Sequence, residues 1–395
     1  MKRILAAILV CLMLAACAGD ATDTSSVVSV STSSVQSSTV TSQIDPAKNE
    51  YKEWNYNVID VADRLLLGNR VIMLEDSSGM LFDQAGCSFS FKADCEGDIK
   101  LAVKNGTSWE NRFRHYTVYI DGVRQERIQA EAPLDSTIDT VVTIAADLPR
   151  GIHEIKVCRS NPAEKGVETI KKIVLNGVIC EDKPKEQALL IEFLGDSLTA
   201  GLGNLDFEKG QFAPQYSDST QTYAFFTAEA FGADFSSVCC GGLPFTADYG
   251  GMTLKERYNY VSPYRKGAGQ HDFARSADIV VINLGTNDHG RFNDGEITER
   301  EYIDTAKDLM TFIKLKNPNA KIVWAYGMAT NPSAGALTMA VNEMGGADAG
   351  YYFCKLPGNI AGEKGHPVVE SHRNAANVLI QFMKDNLGLK EVTVK

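Results

Sequence analysis

The chain has 395 residues, with 39 Lys or Arg against 50 Asp or Glu, a formal net charge of −11, and 44% hydrophobic residues. At about 150 residues per domain this length holds two or more domains with ample core. An acidic balance with no Arg/Lys run is the reverse of a phosphate-tracking surface, which argues against a nucleic-acid partner and is compatible with a neutral carbohydrate.

At the N-terminus Lys2 and Arg3 precede an apolar run, 4–14, too short to span a bilayer as a mature helix, and Leu14-Ala15-Ala16-Cys17 follows. The tetrad resembles a bacterial lipobox. That resemblance implies a lipoprotein signal over 1–17, with Cys17 lipid-modified and the protein anchored to the extracellular face of a bacterial membrane. Residues 18–50 read as a disordered tether, because 18–43 is rich in Ser, Thr and Val and offers too little apolar surface to offset chain entropy. Such a spacer lifts a folded domain away from the membrane.

Residues 51–182 carry short alternating or apolar runs at 87–93, 98–103, 115–120, 140–145, 152–157 and 169–174. Asn105-Gly106, Asp121-Gly122, Arg150-Gly151 and Asn176-Gly177 punctuate them. The pattern predicts a β-sandwich of jelly-roll type. Cys87, Cys95, Cys158 and Cys180 fall here, where an exported protein can pair them. A charged, proline-bearing stretch then ends in a linker at 183–188.

The run at 190–204, LIEFLGDSLTAGLGN, is an apolar strand that stops at Gly195-Asp196-Ser197 and turns into small helix-starting residues. A serine there projects its hydroxyl from the carboxyl edge of a sheet, as acyl transfer requires. Helix 222–231, strand 234–239 and the segment SSVCCGGL at 236–243 follow. Strand 278–284 leads into Gly285-Thr286-Asn287-Asp288, helix 299–315 precedes strand 321–326, and Gly365-His366-Pro367 precedes a helix at 372–387. Alternation of this kind predicts an α/β domain with a parallel sheet and active groups at its carboxyl edge. The adjacent Cys239 and Cys240 lack Cys-x-x-Cys or His-rich company, so no metal site is expected.

Serine, glycine, asparagine and histidine blocks in that order resemble the GDSL or SGNH hydrolase family, over 189–387. The resemblance implies a three-layer α/β/α domain over 189–395. It makes Ser197 the nucleophile, His366 the general base, and Ser197 N–H, Gly241 N–H and Asn287 the oxyanion donors; a shift of one residue puts Cys240 in place of Gly241. Glu363 stands three residues before His366, where relatives usually carry an aspartate. It holds the imidazole unless, as in some relatives, a backbone carbonyl does so.

The β-rich segment joined to this pattern, with KIVWAYGM at 321–328, resembles carbohydrate esterase family two over 56–387. That resemblance implies a cofactor-free monomeric serine esterase removing acetyl groups from polysaccharides or oligosaccharides such as xylan and glucomannan, with Trp324 and Tyr326 presenting rings to the sugar. Gly365 stands where that family often has an aromatic residue. The alternatives are a lipase or thioesterase and a non-catalytic carbohydrate-binding surface lipoprotein.

Overall fold

The structure, a computed structural model, describes residues 51–106, 113–133, 137–248, 251–264, 268–329, 333–360 and 365–392. Cys17, the tether up to residue 50 and Glu363 lie outside the described residues.

The N-terminal strands are β1 (Glu53–Asn57), β2 (Leu66–Leu67), β3 (Ile72–Met73), β4 (Met80–Leu81), β5 (Ser88–Gly106), β6 (Phe113–Ile120), β7 (Val123–Arg124), β8 (Ile128–Glu131), β9 (Thr140–Arg159) and β10 (Val167–Ile179). They pair antiparallel, in the order β3-β4-β10-β5-β9-β6-β7, with β1 on β10, β2 on β5 and β8 on β6. Alternate residues of β5, from Phe89 and Phe91 to Leu101 and Val103, point into one core with Ile155, Val157, Ile170 and Ile173. This is the period-2 burial the sequence predicts.

Where the sequence suggests two pairs of short strands, the structure has two long ones, 19 residues in β5 and 20 in β9. Asp121-Gly122 is a true turn, both residues having positive φ, between β6 and β7. Arg150-Gly151 and Asn176-Gly177 are not turns but lie inside β9 and β10. At Gly177 φ is +142° and a Cβ would lie 2.2 Å from the Asp94 carbonyl oxygen, so this glycine marks an irregularity where two backbones approach closely. The cysteines of this region are free thiols, as are Cys239, Cys240 and Cys354.

The second sheet is parallel, built from β11 (Leu190–Gly195), β12 (Asp234–Cys239), β13 (Ile279–Asn283), β14 (Lys321–Met328) and β15 (Tyr351–Gly358) in the order β12-β11-β13-β14-β15. Its helices are α1 (Ser197–Ala200), α2 (Tyr223–Ala230), α3 (Leu254–Tyr258), α4 (His289–Asn293), α5 (Glu299–Lys316), α6 (Ala334–Glu343) and α7 (Val369–Leu387). One face packs Ile191, Phe193, Val281 and Val323 against α2 and α7. The other packs Leu194, Ile282, Ile322 and Trp324 against α5 and α6. The result is a three-layer α/β/α domain in which β11 and β13 are buried at every position. Thr298 opens α5 with a capping box to Glu301, an arrangement worth about 1 kcal/mol. Strand β15 and helix α6 are not foreseen in the sequence reading.

In this sheet the chain moves from β11 outward to β12, then crosses back to β13 on the other side. The crevice beyond the carboxyl ends of β11 and β13 is the topological switch point, where open α/β sheets place their ligands.

Candidate active site

Ser197 follows β11 directly at that switch point. The turn needs a glycine before it, because a Cβ on Gly195 would lie 1.9 Å from Thr199 Oγ1. Asp196 caps the short helix by accepting from the Leu198 N–H at 2.9 Å. Ser197 is 6% exposed, and its Oγ lies 2.6 Å from His366 Nε2. The two residues distant in sequence are thus one hydrogen-bonded pair. Burial holds the His366 imidazole below its ordinary pKa of 6.5, so it is neutral and able to accept a proton at neutral pH.

The loop carrying His366 is pinned from below. His372, within α7, is buried; its Nδ1 accepts from the Tyr223 N–H at 3.2 Å, and the ring stacks on Tyr223 with an interplanar angle of 7°. Its imidazole also bonds the Pro367 carbonyl, and burial pushes its pKa down to about 3. The Val369 N–H meets the Asn204 carbonyl at 3.1 Å, which ties the start of α7 to the end of the serine segment. Sequence reading places His372 at the opening of the last helix; the helix opens at Val369 and His372 is a buried support.

Asn287 and Asp288 join the turn after β13 to the loop after β12. Asn287 Nδ2 donates to Asp196 Oδ2 at 3.0 Å and to the Leu243 carbonyl at 3.2 Å. Asp288 Oδ1 accepts from the Thr246 N–H at 2.8 Å and from the Thr246 hydroxyl. Burial, then the charge of Asp288, pushes Asp196 up to about 7. Serine, asparagine and histidine therefore meet at one edge, with a desolvated carboxyl beneath the serine.

Residues 193–372 match the GDSL-like Lipase/Acylhydrolase family. Over that segment the chain is similar to this family. Across 268 residues, 63% of this chain and 32% of the relative, it is 29% identical to the Cellulase/esterase CelE of Acetivibrio thermocellus. The chain thus spans about a third of that relative's length. It is 25% identical over 266 residues, 65% of this chain and 70% of the relative, to an Acetylxylan esterase / glucomannan deacetylase of Cellvibrio japonicus. In fold it resembles a family two carbohydrate esterase from Clostridium thermocellum solved in complex with cellohexaose, with TM-score 0.72 and 24% identity over 82% of this chain and 99% of that one.

Within this segment the glycine block separates two backbone donors. The Cys240 N–H is taken by the Gly195 carbonyl at 3.3 Å, extending the ladder of β11 and β12. The Gly241 N–H instead meets Glu164 Oε1 at 3.1 Å, a side chain from the turn Ala163–Lys165 of the antiparallel-sheet domain. Nothing near Ser197 in sequence signals Glu164.

Trp324 and Tyr326 are corrected by the structure. Both are 0% exposed. Trp324 packs edge-on against Phe245 and donates its indole N–H to the Leu284 carbonyl at 3.1 Å. The Tyr326 hydroxyl accepts from Ser333, and its ring would lie 2.9 Å from a Cβ on Gly285. Rings without exposure cannot stack on a sugar; here they hold the turn that carries Asn287.

The aromatic beside the histidine is Phe212, 40% exposed, whose ring meets His366 edge-on at 4.7 Å. Gly365 cannot supply it, since its φ is +87° and a Cβ there would lie 2.9 Å from Gly210 Cα. The loop bearing Phe212 is held from the other domain by Arg127, which donates to the carbonyls of Pro214, Gln215 and Ser217.

Proposed function

We propose that the protein is a serine carboxylic-ester hydrolase that removes O-acetyl groups from a plant polysaccharide or oligosaccharide of the xylan or glucomannan type. The observation that carries it is the 2.6 Å contact between Ser197 Oγ and the half-buried, neutral His366 Nε2 at the switch point of the sheet. Ser197 transfers its proton to His366 as its oxygen attacks the acetyl carbonyl. The sugar leaves as an alcohol on taking that proton back, and water then releases acetate by the same path. The Ser197 N–H, Gly241 N–H and Asn287 amide stabilise the tetrahedral oxyanion; for Asn287 this means giving up a present acceptor to the incoming charge. Glu363 orients His366 in this reading.

The acetylated-carbohydrate substrate is supported by the relatives named above and by the half-exposed Phe212 ring beside His366, an apolar wall suited to a sugar face. Acetate release from acetylated xylan, acetylated glucomannan and short acyl esters tests it. Ser197→Ala and His366→Ala should each lower kcat by roughly a million-fold with the fold intact. Preference for long acyl chains would move the reading to a lipase, and full activity of Ser197→Ala would end it.

We also propose anchoring to the extracellular membrane face through Cys17, on the strength of the motif at 14–17. Cys17→Ser should move the protein from the membrane to the soluble fraction while activity on soluble esters persists; unchanged membrane retention would refute it.

A further inference from the structure

Glu164 makes a contact in the site that works against the chemistry just described. Its Oε1 accepts from the Gly241 N–H at 3.1 Å, while its Oε2 is buried with no hydrogen-bond partner. A Cβ on Gly241 would stand 2.9 Å from Oε1, so a glycine is what lets the carboxyl approach this closely. β12 is in register with β11, Cys239 opposite Gly195, so Gly241 and Ser197 leave the sheet at neighbouring strand ends.

We propose that the Glu164 carboxylate is a gate on the oxyanion site: ionised, it occupies the Gly241 N–H and repels the charge developing on the acyl oxygen, and on taking up a proton it releases the site. The proposal rests on the serine-esterase reading. A half-bonded carboxylate is an unstable tenant of a buried position, because one N–H does not replace the water it has lost. Burial accordingly raises its pKa, which backbone N–H bonds from Glu164 itself and from Gly241, and then the charges of Lys165 and Arg159, oppose only in part. From the facing elements come Cys239, Cys240 and Tyr264, with Arg257 and Asp196 behind them. Of these, Arg257 alone brings a full positive charge to that side, and it lies over the Tyr264 ring, its guanidinium carbon 5.8 Å from the centroid.

The sign follows directly. Protonated Glu164 carries no charge against the oxyanion, so activity falls as pH rises through its raised pKa; the acidic limb belongs to His366, which must be neutral. Profiles of kcat/KM against pH on a soluble acetyl ester, for wild type, Glu164→Gln and Glu164→Ala, decide the matter. Both variants should lose the alkaline limb, exceed wild type by about threefold or more at alkaline pH, and converge on it at lower pH with the acidic limb unmoved. An alkaline limb of the same shape in all three proteins, or a uniform loss at every pH in both variants, would overturn the gate and leave a structural contact. Ser197→Ala run in parallel separates the two readings. If it is inactive while the Glu164 profiles do not change, the gate alone fails; if it is active, the esterase reading fails with it.

Discussion

The middle and the end of β11 bury polar groups on opposite terms. Glu192, inside the strand, accepts from Arg70 Nε at 2.8 Å, from Ser236 Oγ at 2.8 Å and from the Tyr258 hydroxyl at 2.5 Å, while Arg70 also donates to the carbonyls of Tyr258 and Tyr260. Arg70 comes from the antiparallel-sheet domain, and the side chains of the pair are 0% and 2% exposed. Although burial opposes it, this partnership holds the Glu192 carboxyl below its ordinary range. At the end of the same strand Asp196 is pushed up, His366 down, and Glu164, also crossing from the other domain, has one partner for two oxygens. Glu192, with both oxygens bonded and a cation beside it, locks two domains together although Arg70 Nη2 is buried without a partner; Glu164, with one oxygen bonded, is positioned to trade a proton.

The contrast breaks most readily at Arg70. Arg70→Ala strands a buried carboxylate and should lower unfolding free energy by about 3–5 kcal/mol in urea titrations, whereas Arg70→Met with Glu192→Met should recover most of it. The sign with pH is fixed by the depressed folded-state pKa of Glu192. Its stabilisation is present above the ordinary value of 4.5 and is lost as pH falls through the folded value, so the gap between wild type and Arg70→Ala should narrow in acid. A loss below about 1 kcal/mol would show that the crossing is not a lock.

A smaller effect sharpens the other side. Asn287→Ala should reduce kcat about a hundred- to thousand-fold, near 3 kcal/mol of transition-state stabilisation, with little change in KM. A change in KM alone would make Asn287 a linker of Asp196 to the Leu243 carbonyl rather than an oxyanion donor.

How much of this was legible before folding depends on what kind of signal each residue carries. Gly195-Asp196-Ser197, the turn at Asn287 and Gly365-His366 announce themselves through strand ends and small residues, and the structure brings all three to one edge. The choice between Cys240 and Gly241 needs the strand register, since only the ladder shows that the Cys240 N–H is consumed. Trp324 and Tyr326 misled because β14 is buried on both faces, where an aromatic near a strand end is core. Glu164, His372 and Phe212 had no local mark; each acts across the fold on a residue far away in sequence. In the antiparallel domain Gly122 makes its turn, but Gly151 and Gly177 sit at irregularities of long strands, because a dipeptide fixes local backbone freedom and not whether the chain reverses.

The central claim is that Ser197 carries the acyl group. Rapid quenching of the enzyme during turnover of an acetyl ester, followed by peptide mass analysis, should find acetyl on the peptide containing Ser197 and none in Ser197→Ala. Acetyl on another residue, or steady acetate release by Ser197→Ala with no adduct anywhere, would contradict the account.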